Sequence, residues 1–333
     1  MLIYATHHYV LSLPPEHRFP MPKYARLAER VSAAAFDRMR IPRPATDEEL
    51  ARVHAPDYIA AVTTGTIDAA SMKRIGFPWS PEMVERSRRS AGATLAACHA
   101  ALADDCGVNL AGGTHHAHRD HGAGFCVFND AAVAIRALQA ERAIERALII
   151  DLDVHQGDGT ADIMSADPDV VTFSMHGRGN YPFRKSASSL DIELADGTRD
   201  AAYLAALASA LPRVIARAAP DIAIYLAGAD PYEGDRLGRL RLTKAGLAER
   251  DRLVLTTLRD RAIPVAITMG GGYAEDIDDI VDIHFATVAL ALDLFSSPRR
   301  AIGDTSDDVA RPRPLPHLRA RSARPSVRVP LHD

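Results

Sequence analysis

The stretch ALIIDLDVHQGDG, residues 147–159, joins a short apolar run to a group of aspartates and a histidine. The run at residues 147–152 is nearly continuous in apolar residues, which is typical of a parallel strand that helices cover on both faces. In an extended segment, side chains two residues apart point the same way, so Asp153 and His155 can bind one ion. The stretch therefore predicts a buried strand that ends at a metal site.

Similar apolar runs occur on both sides of this stretch. They predict further strands at residues 2–4, 108–110, 170–174, 222–226 and 263–268. Segments with helical periodicity lie between them, at residues 23–40, 81–103, 129–139, 201–218, 243–259 and 275–294. This alternation predicts an α/β fold of three layers, with a central parallel sheet and helices on both faces.

Polar residues cluster where the predicted strands end. His115 and His116 follow the second strand, Asp230 follows the fifth, and a GGGY turn ending at Tyr273 follows the sixth. In open α/β sheets, ligands bind at the carboxyl ends of the strands. Together with the 147–159 stretch, four strands each deliver a metal-compatible or proton-transferring group to one edge, which predicts an active site there.

Three of these residues form a candidate metal site. Asp153, His155 and Asp230 would leave a coordination position open for water and substrate, which is typical of catalytic rather than structural zinc. Mixed oxygen and nitrogen ligands would also accept Fe²⁺, Mn²⁺ or Co²⁺. The pattern predicts a catalytic metal ion and leaves its identity open.

The histidine pair suits proton transfer, because histidine titrates near neutral pH. Asp151 and Asp158 are available to hold one ring each, although a histidine dipeptide alone is more often structural. The nearby His118 and His121 are interpreted as loop or surface residues.

The GGGY turn allows the backbone to approach a substrate closely and then presents the Tyr273 phenol, which can donate a hydrogen bond to a developing oxyanion. The sequence contains no GxGxxG or GxxxxGK[ST] motif at this turn and no GxSxG motif, so phosphate binding and serine hydrolysis have little support.

Taken together, these motifs resemble those of the histone deacetylase superfamily. The resemblance covers about residues 1–295 and rests on HHA at 115–117, GFCVFND at 124–130, DLDVHQGDG at 151–159, GAD at 228–230 and GGGY at 270–273. PEHRFPMPKY at 15–24 and the stretch from SMHG at 174 through NYPFRK are most similar to the class IV branch and to bacterial acetoin-utilisation-type deacetylases. The resemblance implies the arginase/deacetylase fold and a zinc-dependent amidohydrolase.

It also implies roles for the catalytic residues. Asp153, His155 and Asp230 would ligate Zn²⁺, with Fe²⁺ as the other candidate. His116 would act as general base toward the attacking water, and His115 or His116 would protonate the leaving amine.

The supporting residues follow from the same resemblance. Asp151 would orient His115, Asp158 would orient His116, and Tyr273 would hydrogen-bond the oxyanion. A structural monovalent cation, usually K⁺, would be held by Asp151 with groups of Asp153, His155, Ser174 and Met175.

For the substrate, the resemblance implies a tunnel. Phe125 would form one wall and residues 180–183 the opposite one, with Gly124 and Gly271 also contacting the substrate. The substrate would be an acylated lysine in a protein, with an acetyl or longer acyl group. The alternatives are an acetylpolyamine or another small acylated amine, and a non-catalytic protein that binds acyl-lysine. An arginase-like enzyme with two manganese ions is disfavoured, because Gly157 stands where its second metal needs an aspartate.

Composition sets wider bounds. The three cysteines form no CxxC pair and the sequence shows no signal peptide, which favours a cytoplasmic protein. No apolar stretch approaches the roughly 20 residues that a membrane span needs, so none is expected. The formal net charge of −4 indicates no particular partner, and the oligomeric state cannot be inferred. Residues 1–297 are predicted to form the catalytic domain. Residues 298–333, rich in arginine and proline, are predicted to be a disordered tail with at most weak nucleic-acid contact.

Overall fold

The computed structural model describes residues 1–296, so the predicted tail at 298–333 lies outside the described residues. Within them the strands, in chain order, are β1 (Leu2–Tyr4), β2 (Met39–Arg40), β3 (Cys106–Asn109), β4 (Ala147–Asp151), β5 (Val170–Gly177), β6 (Leu190–Leu194), β7 (Ile222–Leu226) and β8 (Val265–Thr268). They form one sheet of eight strands in the order β2-β1-β3-β8-β7-β4-β5-β6, and the paired strands are parallel.

Helices connect the strands. In the same part of the chain they are α1 (Lys23–Ala35), α2 (Asp47–Ala51), α3 (Pro56–Thr64), α4 (Ala69–Ile75), α5 (Pro81–Asp104), α6 (Asp130–Ala140), α7 (Asp158–Met164), α8 (Asp200–Ala218), α9 (Lys244–Asp260) and α10 (Ile277–Ser296). Side-chain caps begin several of them: Ser80 accepts from the Met83 amide before α5, and Thr243 accepts from the Gly246 amide before α9.

The sheet separates two hydrophobic clusters, which makes the domain three layers thick. Leu148 and Ile150 of β4 point into the cluster formed with α1, α8, α9 and α10, whereas Ala147 and Ile149 point into the cluster formed with α5 and α6. Burying each Leu or Ile side chain stabilises the fold by about 1.5–3 kcal/mol. Shifting a strand by one residue would exchange the two faces, so this burial also fixes the register. The predicted α/β fold with helices on both faces is confirmed.

The differences from the predicted elements lie mainly at the sheet edges. Strands β2 and β6, at opposite edges, were not predicted: β2 has two residues, and β6 alternates apolar and acidic residues because it pairs on one side and is half exposed. The helix predicted at 23–40 ends at Ala35, because Phe36–Arg38 forms a 3₁₀ turn and the chain then pairs with β1 as β2.

Helix α8 is the one described helix that is long and apolar enough to cross a membrane, judged by length and composition. Its buried residues include Tyr203, Leu207, Leu211 and Val214, which belong to the hydrophobic cluster that also contains Phe173 of β5. The apolar face of α8 is therefore accounted for by packing against the sheet.

Candidate active site

Four neighbouring strands end level at one edge of the sheet. Asp151 of β4 pairs in register with Leu226 of β7, Leu226 with Thr268 of β8, and Thr268 with Asn109 of β3. The segments that leave these strands carry the histidine pair, the aspartates and the GGGY turn. Because the register aligns the strand ends, residues far apart in sequence are brought to one place.

The predicted metal ligands converge at this edge. Asp153, His155 and Asp230 are buried, and each offers one donor atom so that these atoms lie within 4.8 Å of one another. Nδ1 of His155 is 3.0 Å from Oδ1 of Asp153 and 3.1 Å from Oδ2 of Asp230. Two carboxylates and an imidazole at this spacing fit a divalent cation such as Zn²⁺ or Fe²⁺. It is the one such group found among residues 1–296.

Backbone amides orient the two carboxylates. The Gly271 amide donates to Oδ2 of Asp153 at 2.7 Å, and the Val154 amide donates to Oδ1 of Asp230 at 2.8 Å. The other oxygen of each carboxylate faces Nδ1 of His155. A Cβ atom at Gly271 would lie 2.0 Å from Oδ2 of Asp230, so only glycine fits there. Such outer hydrogen bonds hold ligands in position before a metal binds.

The protonation of the three ligands is strongly perturbed. Burial, reinforced by the charge of Asp153, raises the pKa of Asp230 to about 7. Burial lowers the pKa of His155, but the hydrogen bonds and charges of Asp153 and Asp230 outweigh it and raise that pKa to about 10. The protonated imidazole offsets the carboxylate charge, a role that a divalent cation would take over with release of the proton.

Each of the paired histidines has its own buried carboxylate. Nδ1 of His115 donates to Oδ2 of Asp151 at 2.7 Å, and Nδ1 of His116 donates to Oδ1 of Asp158 at 2.6 Å. Asp151 is the last residue of β4 and Asp158 is the first residue of α7, so both are placed by regular structure. With Nδ1 occupied, Nε2 of His116 is left for the substrate cavity, which His116 lines.

The two histidines differ in basicity. Burial and then the charge of His115 lower the pKa of His116 to about 4, against the hydrogen bond to Asp158. Burial also lowers the pKa of His115, but Asp151 and Asp153 outweigh it and raise that pKa to about 9. Near pH 7, one ring is neutral and the other is protonated, so the pair offers both a proton acceptor and a proton donor.

His118 supports this arrangement from outside. Its Nε2 lies 3.4 Å from Oδ2 of Asp158, its Nδ1 lies 3.0 Å from Asp162, and its ring stacks on His121 at 4.5 Å. Predicted as a loop residue, His118 thus contacts the carboxylate that holds His116.

Tyr273 is buried beside the metal ligands. Its ring centroid is 6.4 Å from that of His155 and 6.0 Å from that of Phe125. Its amide donates to Asp235 at 2.6 Å and its carbonyl accepts from Nε of Arg236 at 2.9 Å. No group in the described part of the chain hydrogen-bonds its hydroxyl. Burial raises the pKa of this phenol well above its ordinary value, so it stays protonated and able to donate.

A cavity of 660 Å³ leads to these groups. His116, His155 and Tyr273 line it, together with Gly124 and Phe125 on one segment and with Asn180, Tyr181 and Phe183 on another. Tyr181 packs edge-on against His116 at 4.9 Å, and Phe183 is 84% exposed, so the cavity runs from an exposed aromatic rim to the buried histidine. Gly271 contacts the metal ligands and does not line this cavity.

The predicted monovalent-cation residues lie beside β4 and β5. Asp151 and Ser174 are directly paired in register, and Oδ1 of Asp151 accepts from the Asp153 amide at 3.2 Å. The Ser174 hydroxyl is 2.9 Å from Nδ1 of His176. Met175 follows Ser174 in β5 and is buried.

Several supporting residues were not predicted. Asp235 accepts the amides of Tyr273, Leu237 and Gly238 and so fixes the loop behind the phenol. In the sequence, its position five residues after Asp230, in the same loop after the strand, could have indicated that it supports the site. Nη1 of the buried Arg250 donates to the Gly228 carbonyl at 2.6 Å, beside the exit of β7.

His54 is a second residue of this kind. Its Nε2 accepts from the Asn129 amide at 2.9 Å and its Nδ1 donates to the His118 carbonyl at 2.9 Å. It therefore ties the start of α6 to the loop that carries the histidine pair. An isolated histidine 61 residues before that pair gave no signal in the sequence.

Comparison with known proteins agrees with this geometry. Residues 17–288 match the family model of the histone deacetylase domain. An uncharacterised protein of Picosynechococcus sp. is 43% identical over 290 residues, covering 86% of this chain and 97% of that protein. The acetoin utilization protein AcuC of Bacillus subtilis is 33% identical over 273 residues, covering 75% of this chain and 70% of AcuC.

The fold is shared with a solved structure. The crystal structure of the HDA15 HD domain matches with a TM-score of 0.74 at 22% identity, covering 90% of this chain and 89% of that one. The family model spans most of the chain, and the residues gathered at the sheet edge lie within the matched range 17–288. The chain therefore belongs to the histone deacetylase family.

Proposed function

We propose that this chain is a zinc-dependent deacylase that removes an acetyl group from the side-chain amine of lysine. One observation carries the proposal: the donor atoms of Asp153, His155 and Asp230 lie together, and His155 lines the same cavity as His116 and Tyr273. A binding protein would need neither a proton-transfer pair nor a free phenol at that point, so the geometry disfavours the non-catalytic alternative.

The chemistry divides among these residues. Zn²⁺, when bound, would polarise the acyl carbonyl and make water at the site more acidic. His116, which burial keeps neutral, accepts the proton of the attacking water. His115, whose Nδ1 donates to Asp151, lies with its ring 4.2 Å from that of His116, and one of the two histidines supplies a proton to the leaving amine. The Tyr273 hydroxyl donates to the oxyanion as the tetrahedral intermediate forms.

The shape of the site favours a lysine chain carrying a short acyl group. Phe125 and Tyr181, on separate segments of the cavity wall, can contact the methylene chain, while His116 and Tyr273 lie where its amide would arrive. An inner cavity of 60 Å³ adjoins the site and shares Gly124, Phe125 and Tyr273 with the outer one. It is much smaller than the outer cavity, so we place acetyl ahead of long acyl chains.

Three further assignments belong to the proposal. A K⁺ ion beside Asp151 and Ser174 would be structural, Fe²⁺ is the alternative catalytic metal, and the cytoplasm is the compartment that suits the three free cysteines. The likeness to class IV relatives stays a prediction from residues 15–24 and from the stretch that begins at residue 174. The domain boundary after residue 297 also stays a prediction.

Hydrolysis of paired lysine peptides, one acetylated and one carrying a long acyl chain, tests the proposal. Both are incubated with zinc-loaded protein, with and without a chelator. We expect release of acetate that the chelator abolishes and that zinc restores, with the long-chain peptide cleaved more slowly. Absence of turnover on both peptides would remove the acyl-lysine assignment, and acetylated polyamines would then be the next substrates to assay.

A further inference from the structure

Four arginines line the substrate cavity: Arg18, Arg74, Arg236 and Arg239. They come from three separate segments, namely the chain before α1, helix α4 and the loop after β7. All four are exposed, so their charges face solvent at the cavity mouth. The acidic residues of the active site lie deeper and are buried, and no carboxylate lines this cavity. We call these four residues the arginine rim.

Two members of the arginine rim are free to bind a ligand. The guanidinium groups of Arg18 and Arg74 make no hydrogen bond or ion pair with any residue in the range 1–296. Arg239 contacts Asp196 at 3.2 Å, but both side chains are about half exposed. Nε of Arg236 donates to the Tyr273 carbonyl, so its charge lies beside the backbone of that tyrosine.

Acidic groups near the rim do not cancel this charge. Glu16 lines a neighbouring surface pocket with Arg18, and Asp235 is buried with its oxygens occupied by the amides of Tyr273, Leu237 and Gly238. Glu16 and Asp196 are exposed carboxylates, and neither of them lines the cavity. A cleft lined by one sign of charge concentrates ligands of the opposite sign and repels ligands of its own.

We propose that the substrate is an acylated lysine with acidic side chains next to it in sequence. This inference rests on the proposed deacylase function and narrows its substrate. Arg18 and Arg74 lie on different segments from Arg236 and Arg239, so acidic residues both before and after the lysine can meet a guanidinium. Arginine binds carboxylates through two parallel hydrogen bonds, which adds geometric selection to charge. An acetylated polyamine, being cationic, is disfavoured by the same rim.

Three acetyl-lysine peptides test the proposal, with Asp, Ser or Lys at the two positions on each side of the acetyl-lysine. Binding to the full-length, zinc-loaded protein is followed by fluorescence anisotropy, and hydrolysis is followed separately. Because one exposed ion pair changes affinity by up to about 5-fold, two new pairs predict roughly a 10-fold preference for the Asp peptide over the Lys peptide. The preference should shrink at 0.5 M salt, where exposed charges are screened.

The outcomes separate the two claims. Hydrolysis of all three peptides at similar rates, or a preference for the Lys peptide, would overturn the arginine rim inference and leave the deacylase intact. If no peptide is hydrolysed, the acyl-lysine assignment fails, and anisotropy still decides the charge preference. Equal binding of the three peptides would then overturn the arginine rim inference as well.

Variants locate the preference on the rim. In the double variant Arg18→Gln/Arg74→Gln, the ratio of kcat/KM for the Asp peptide to that for the Lys peptide should fall by about 5- to 10-fold. Arg213→Gln is the matched control, because Arg213 is an exposed arginine of α8 that makes no ion pair among the described residues and does not line the cavity. An unchanged ratio in the double variant, or an equal fall in the control, would contradict the proposal.

Discussion

Removing the hydroxyl of Tyr273 isolates one catalytic contribution with little structural disturbance. The hydroxyl has no hydrogen-bond partner in the described part of the chain, whereas the ring packs against Phe125 at 6.0 Å and against His155 at 6.4 Å. The ammonium group of Lys23 also lies 5.5 Å from the ring centroid. Tyr273→Phe keeps all these ring contacts, so the fold and the metal ligands should be unaffected.

We expect a large loss of kcat and only small changes in KM and in the free energy of unfolding. Removing one hydrogen-bond donor to an oxyanion costs about 2.7–4 kcal/mol, which lowers kcat by about 10²–10³-fold. Because the hydroxyl donates to the transition state, KM should change by no more than a few-fold. The free energy of unfolding should change by less than about 1 kcal/mol, because no internal hydrogen bond is lost.

The assay combines steady-state hydrolysis of an acetyl-lysine peptide with metal analysis and urea denaturation. Tyr232→Phe is the control, because its hydroxyl lies 3.3 Å from Asp279 and it does not line the cavity. That variant should retain kcat. If Tyr273→Phe kept kcat within about threefold of the unmodified protein, the phenol would not stabilise the oxyanion. Loss of the metal in this variant would instead show that the hydroxyl helps to hold the metal.

Three further perturbations test other parts of the site. Asp230→Ala should lose the bound metal and all turnover, and stoichiometric zinc in that variant by metal analysis would break the ligand assignment. Arg250→Met should lower the free energy of unfolding in urea by about 3–5 kcal/mol, because it leaves the buried Asp251 without its ion-pair partner; a loss below about 1 kcal/mol would refute this. Burial lowers the pKa of His54 from 6.5 to about 4, so the folded chain binds fewer protons than the unfolded chain between these values. Stability should therefore be full above pH 6.5 and fall by roughly 3 kcal/mol toward pH 4, with a weaker dependence in His54→Gln.

The sequence was most informative where one segment contains both a structural and a chemical pattern. The run at 147–152 predicted β4 because the strand is buried on both faces, and the spacing of Asp153 and His155 placed both on one side. Asp230 and Tyr273 could be added because each follows its own buried strand. Parallel pairing brings such strand ends together, so the candidate site followed from the order of the motifs.

Residues whose role depends on contacts across the fold could not be predicted. Edge strand β6 lacks a continuous apolar run because half of its surface faces solvent. His54 and Arg250 act through backbone groups more than 20 positions away in sequence, so no local pattern marks them. The arginine rim is likewise assembled around one cavity from three separate segments, namely the chain before α1, helix α4 and the loop after β7.

The most direct test of the central claim is a titration of metal-stripped protein with Zn²⁺, following acetyl-lysine peptide hydrolysis. We predict that activity rises in proportion to zinc up to one equivalent per chain and then levels off, and that the Asp230→Ala variant stays inactive throughout. Undiminished turnover by the metal-stripped protein, or activity that zinc does not change, would contradict the assignment of Asp153, His155 and Asp230 as the ligands of a catalytic metal.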